Sequence, residues 1–201
     1  ALPYMQGSLS ASADQINWVL TSYIVAAAIA TPVTGFLEQR LGRKRLFQIA
    51  VVGFPVASVL CGIAMSLPEM VLFRGLQGLF GASLVPLSQA VLLDSYPKEK
   101  HGSAMAMWGV GVMVGPILGP VIGGWLTEAY NWRWVFYINV PIGILTFFGL
   151  SACLSETPVR KGGFDWFGFA MLSLAIGSFQ MMLDRGEQLD WFSSTEILIE
   201  T

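Results

Sequence analysis

Arg74 and Gln77 stand three residues apart in the run Leu72-Phe73-Arg74-Gly75-Leu76-Gln77-Gly78-Leu79-Phe80-Gly81. On a helix that spacing stacks the two side chains on one face. Gly75, Gly78 and Gly81 recur at the same interval as a second row, where another helix can approach closely. Two readings of the charge are open. Arg74 snorkels out of an apolar segment toward water or head groups, or it faces a polar cavity. There a fixed positive charge would favour the ionised form of a nearby acid or hold its anion.

Two further constellations stand beside it. In Gly35-Phe36-Leu37-Glu38-Gln39-Arg40-Leu41-Gly42-Arg43-Lys44-Arg45 few residues separate two helices, so the turn is tight and Gly42 supplies permissive backbone. The basic run there is either a charge anchor or a conformational latch. In the latch, guanidinium groups such as those of Arg40 and Arg43 pair with carboxylates or helix C-termini of a neighbouring bundle and hold one gate shut. In the third constellation Gly111, Gly115, Gly119 and Gly123 recur every fourth residue, with Pro116, Pro120 and Gly124 among them. The glycines line one helix face as a groove for a tight helix crossing, and each proline removes a helix hydrogen bond and bends the segment. A bent helix of this kind can also seal a central cavity.

Uncharged polar residues inside apolar stretches are the remaining candidates: Asn17, Thr21, Tyr23, Gln77, Gln89, Asn139 and Gln180. Each either bonds a neighbouring helix or touches a substrate. Trp18 and Trp108 are placed to stack on an aromatic compound or to anchor helix ends at an interface. Cys61 and Cys153 read as small packing groups. The single histidine, His101, reads as a solvated loop residue, and one histidine in 201 residues argues against a metal-dependent or acid–base enzyme.

The elements that position these residues are membrane spans. The chain is 54% apolar and only 12% charged, about half the charge of a soluble domain, and its mean hydropathy is +0.62. A net charge of −2 gives no argument for a nucleic-acid partner. Stretches free of Asp, Glu, Lys and Arg run over Gln15–Leu37, Leu46–Pro68, Gly75–Leu93, Gly102–Thr127, Trp134–Ser155 and Trp166–Leu183, each of 18 to 26 residues. Roughly 20 apolar residues cross a hydrocarbon core, so the pattern predicts an all-α membrane protein with six transmembrane helices. Connections after the first, third and fifth spans carry Arg40, Arg43, Lys44, Arg45, Lys98, Lys100, Arg160 and Lys161, against only Arg133 and Arg185 on the other side. Lys and Arg collect in cytoplasmic loops, which places the first side inside. Ala1-Leu2-Pro3 reads as the outer end of a missing helix and Ile197-Leu198-Ile199 as the start of another, the pattern of a piece of a larger protein.

Taken together, these motifs resemble the major facilitator superfamily, and within it the EmrB/QacA-type fourteen-span drug:proton antiporters. The basic connection is similar to the signature between the family's second and third helices, although Gln39 stands where an acid is usual, with Glu38 just before it. Arg74 and Gln77 resemble the fourth-helix motif, and Gly111 to Gly124 the antiporter motif of the fifth helix. Trp132-Arg133-Trp134-Val135-Phe136-Tyr137-Ile138-Asn139-Val140-Pro141-Ile142-Gly143 is typical of the start of the sixth. Leu183-Asp184-Arg185-Gly186 and Leu189-Asp190-Trp191-Phe192-Ser193-Ser194 resemble the family's following outer loop.

The resemblance implies a major facilitator helical bundle whose spans are the second to seventh of fourteen. Residues 1–155 would form most of the N-terminal six-helix half, and 156–201 a cytoplasmic linker, the seventh span and an outer loop. It implies efflux of lipophilic drugs or toxic compounds in exchange for protons, by alternating access. Arg74 and Gln77 would act in proton coupling, Gly111, Gly115, Pro116, Gly119, Pro120, Gly123 and Gly124 would set antiport, and Gly35, Glu38, Arg40, Gly42, Arg43 and Lys44 would form the gating loop. No cofactor or metal is implied. The location would be the bacterial inner membrane, with lipid around the chain, and a periplasmic adaptor of the EmrA type and an outer-membrane channel as partners. None of the charge-free spans holds an acid, so the titratable carrier is expected in the missing first helix or the missing second half. A narrower solute exporter or facilitator, and a non-transporting scaffold, are the competing expectations.

Overall fold

The computed structural model describes residues 2–155, 163 and 165–185. Among the described residues the chain is helical throughout, and its helices read as α1 (Leu2–Ser8), α2 (Ala13–Ala30), α3 (Val33–Leu41), α4 (Arg43–Ile63), α5 (Leu67–Gly81), α6 (Leu84–Ser95), α7 (His101–Ala129), α8 (Trp134–Tyr137), α9 (Asn139–Cys153) and α10 (Trp166–Arg185). Five described segments are long and apolar enough to cross a membrane, and α2 with α3 makes a sixth if that bent pair is one span. The chain is a multi-pass membrane protein. Arg160, Lys161, the segment from Gly186 through Ser194, and Ile197–Ile199 lie outside the described residues.

Local chemistry sets the helix ends. Ser12 and Gln15 form a reciprocal capping box at the start of α2, with bonds of 3.1 and 3.2 Å. Ser66 caps α5, and the Glu69 carboxylate accepts from the Met65 N–H at 2.9 Å. Gly42 ends α3 with φ 82°, a conformation that costs a side chain dearly, and the chain reverses directly into α4.

Three stretches expected as single spans are interrupted, the last only at Ile138 between α8 and α9. The first bends by 58° between α2 and α3. Pro32 has no N–H to offer the preceding turn and crowds its carbonyl, while the Thr31 hydroxyl occupies the Ala27 carbonyl at 2.7 Å. The second breaks briefly at Ala82 and Ser83, ahead of Pro86, which falls in the first turn of α6 where its missing N–H is tolerated. α4 runs through Pro55 uninterrupted.

α5 lies between α2 and α4, and α4 packs on its other flank against α8 and α9. One buried cluster joins Met5, Ile16, Val19, Cys61, Met70, Trp132 and Phe136. A second, toward the basic end, joins Leu46, Phe47, Val51 and Leu87. Close approach at three glycines makes this packing possible: a Cβ would overlap the Phe80 ring at Gly53, the Tyr137 ring at Gly62 and the Pro55 ring at Gly143. Large apolar side chains such as Val56, Leu72, Ile117 and Leu145 face outward, the inversion expected of a surface solvated by lipid.

The antiparallel α4 and α9 are clamped at both ends by cations on helix C-termini. Lys44, at the head of α4, donates to the carbonyls of Leu154 and Ser151 at 2.6 and 3.2 Å. Arg133, just before α8, donates to those of Gly62 and Ala64 at 2.6 and 2.7 Å, with its guanidinium over the Trp132 ring. Arg133→Ala removes both bonds at one end and is expected to cost about 2 kcal/mol, read as a lower Tm of the detergent-purified full-length protein.

Candidate functional site

Arg74 lies seven residues into α5, a depth of about 10 Å at the helical rise. Its side chain turns into the bundle. Nε donates to the Val19 carbonyl of α2 at 2.9 Å and Nη1 to Gln77 Oε1 at 2.6 Å. The guanidinium lies 4.4 Å from the centre of the Tyr23 ring and 5.9 Å from that of Phe136, a cation–π arrangement suited to a charge shielded from water. Among the described residues no carboxylate pairs with it; Glu38 and Asp94 pair with Arg43 instead.

From Arg74 a polar chain crosses three helices. Gln77, 1% exposed, donates through Nε2 to Ser58 Oγ of α4 at 2.5 Å. Asn139, the first residue of α9, donates to the same oxygen at 3.2 Å, and the Ser58 hydroxyl donates to the Phe54 carbonyl at 2.9 Å. Ser58 is fully buried. Buried polar groups are usually hydrogen-bonded, and both ends of the Gln77 amide and the Ser58 hydroxyl are. Asn139 also stands in the wall of an apolar groove of about 360 Å³ between α4, α6, α7 and α9, with Phe47, Phe54 and Trp108. The Trp108 indole N–H donates to Ser88 Oγ at 3.1 Å.

The structure thus unites Arg74, Gln77, Tyr23 and Asn139 and leaves other polar candidates apart. Thr21 is buried and its hydroxyl donates to the Asn17 carbonyl of its own helix at 3.2 Å. Gln89 on α6 and Gln180 on α10 are half-buried and take no part in the Arg74 chain. Sequence reasoning missed Ser58, since a serine in an apolar helix most often bonds its own preceding turn, as Ser58 does too. His101 is the first residue of α7, with Nε2 2.9 Å from the Tyr96 carbonyl.

At the basic end the loop is tied to carboxylates of this same bundle, not to a neighbouring one. Arg43 Nε is 2.6 Å from Glu38 Oε1, and its Nη1 bonds the Asp94 carboxylate of α6. Glu38, beside Gln39, is thus the loop's own carboxylate partner of Arg43. Arg40 stands over the Phe36 ring at 5.6 Å, and a Cβ at Gly35 would meet nothing within 4 Å.

The glycine rows behave differently from one another. A Cβ at Gly78 would overlap the Tyr23 carbonyl, and one at Gly81 would stand 3.0 Å from the Tyr23 hydroxyl, whereas Gly75 is open. On α7, residues 111–120 are all exposed, and a Cβ at Gly111, Gly115, Gly119 or Gly124 would meet no described atom within 4 Å. Only at Gly123 does a neighbour, Val135, come within 3.9 Å. The tight crossing expected there is not made by any described helix.

Residues 1–169 match the profile of the Major Facilitator Superfamily. The chain is 46% identical over 200 residues to the fatty acid resistance protein FarB of Neisseria gonorrhoeae, covering 98% of this chain and 39% of that one. It is 44% identical over 203 residues to the multidrug export protein EmrB of Escherichia coli K12, covering 100% of this chain and 40% of that one. It spans about two fifths of the length of these relatives. The fold matches that of the inward-open xylose transporter XylE from E. coli with a TM-score of 0.69, at 16% identity, over 92% of this chain and 51% of that one. Five apolar spans, six if α2 and α3 are one, surround an inward-turned arginine, and the family profile and the relatives agree with that architecture: the chain belongs to the major facilitator superfamily of transporters, and its high-identity relatives are EmrB-type exporters.

Proposed function

We propose that this chain is most of the N-terminal half (residues 1–155), followed by a linker and one further span, of a transporter that expels lipophilic compounds in exchange for protons. The observation that carries the reading is Arg74, a cation held inside the bundle by Val19 and Gln77 with no carboxylate among the described residues. Such a charge stabilises the ionised form of an acid brought near it and releases it when the acid is protonated. The acid belongs to a part of the protein outside this chain. Names of relatives, fatty acid resistance and multidrug export, point to lipophilic substrates. Asn17, Thr21, Tyr23, Gln89, Asn139 and Gln180 are the candidate polar contacts for them.

Basic loops face the cytoplasm of a bacterial inner membrane in this reading, and the two halves rock about a midplane site. The exposed glycine face of α7 is the surface on which the other half slides. A periplasmic adaptor of the EmrA type and an outer-membrane channel complete the path. Cells without their own pumps that express the full-length gene are expected to accumulate less of a fluorescent lipophilic dye, and a protonophore restores accumulation. Equal accumulation with and without the gene would overturn efflux, and export indifferent to the protonophore would overturn proton coupling.

The latch sets a modest bias. The Asp94 side chain is 69% exposed, so its pair with Arg43 is worth about 0.5–1 kcal/mol. Asp94→Asn is accordingly expected to shift the balance of inward- and outward-open forms by only about two- to fivefold. Accessibility of a cysteine placed on the basic side, compared with wild type, reads that shift.

A further inference from the structure

The orientation of the Gln77 amide is dictated at both ends. Arg74 can only donate, so the amide must present Oε1 to it, and Nε2 is left facing Ser58. Ser58 must then accept. Its own proton is committed to the Phe54 carbonyl, which leaves two lone pairs, and these are taken by Gln77 and Asn139. One hydroxyl therefore fixes an amide on α5 and an amide on α9 from a fully buried position on α4. A rotated Gln77 would turn an NH2 group onto the guanidinium, donor against donor, and Arg74 would keep only its bond to Val19.

We infer that Ser58 is a positioning residue for Arg74. It holds the Gln77 carbonyl on the guanidinium and ties that geometry to the start of α9 through Asn139. This assignment rests on the reading that Arg74 takes part in proton coupling. Nothing in the apolar run Phe54-Pro55-Val56-Ala57-Ser58-Val59-Leu60 distinguishes Ser58 in the sequence. The assignment comes from three bonds converging on one oxygen.

The test is a mutant cycle in vesicles containing the full-length transporter, with drug-dependent proton flux followed across a range of pH and scaled to folded protein. Ser58→Ala removes only the hydroxyl, and alanine is the most helix-favouring replacement, so the variant folds. It is expected to lower the flux about tenfold, the cost of leaving buried amide groups without their acceptor, and to move the pH profile toward that of Gln77→Ala. The double variant is expected to stay within about twofold of Gln77→Ala alone, since the two residues act through one bond. Ser58→Thr, which keeps the hydroxyl, recovers most of the flux and the wild-type profile. Losses that multiply in the double variant, or a pH profile unmoved by Ser58→Ala, would overturn the assignment while an Arg74→Ala defect left the coupling reading standing. Flux undiminished in Arg74→Ala would overturn both.

Discussion

Arg74→Ala is expected to lower drug-dependent proton release at least about hundredfold, because it removes two charge-assisted hydrogen bonds worth about 1.5–3 kcal/mol each. The substitution frees the Val19 carbonyl and Gln77 Oε1 together and takes the cation from the face of Tyr23. Arg74→Lys separates the two readings open at the sequence level. A snorkelling anchor needs only a long cationic side chain, so lysine would serve it. The observed geometry needs two donors held in a planar fork, one on a backbone carbonyl and one on an amide three residues away, and an ammonium on a flexible stem does not supply that. Arg74→Lys is therefore expected to retain less than about a tenth of the wild-type release. Activity near wild type in Arg74→Lys would return Arg74 to the anchor reading.

The second large effect is structural. Gly78→Ala is expected to cost about 3 kcal/mol, the upper end for overpacking a well-filled site. Its new Cβ meets a backbone carbonyl, that of Tyr23, which cannot swing aside as a side-chain tip would. α2 would have to move off α5, and α2 carries the carbonyl on which Arg74 is anchored. Gly75→Ala, one turn away on the same helix, meets no described atom within 4 Å and is expected to gain about 0.5–1 kcal/mol of helix stability. Melting curves of the purified full-length variants, run beside wild type, give both values. A pair of equal shifts would mean that α2 does not approach α5 through Gly78.

The gap between sequence and structure follows the range of the interactions. Charge-free lengths locate the spans because the hydrocarbon thickness is a single constraint that every crossing helix must meet. The Gly42 reversal is equally legible, since positive φ leaves few residue choices. The 58° bend at Thr31 and Pro32 was written in the proline but is masked by a run that stays apolar across it. Which glycines are crowded is not periodic at all. Gly75 and Gly78 share a motif, yet only one meets another helix, while Gly53, Gly62 and Gly143 lie outside any regular row and stand against Phe80, Tyr137 and Pro55. Those contacts depend on helix crossing points that local sequence does not encode. The contacts of Arg43 show the same limit: Glu38 lies five residues away, but Asp94 is 51 residues away and enters only through the fold.

The exchange of lipophilic compounds for protons is tested most directly in inverted vesicles holding the full-length wild-type protein under an imposed proton gradient. Lipophilic compounds of unrelated structure would be added one at a time and proton release recorded, with protein-free vesicles as the control for leak. Release triggered by several of them, saturating with concentration and absent from the control, is the predicted result. No release with any compound, while the same vesicles accumulate the drug down its own gradient, would contradict antiport and describe a facilitator built on the same helices.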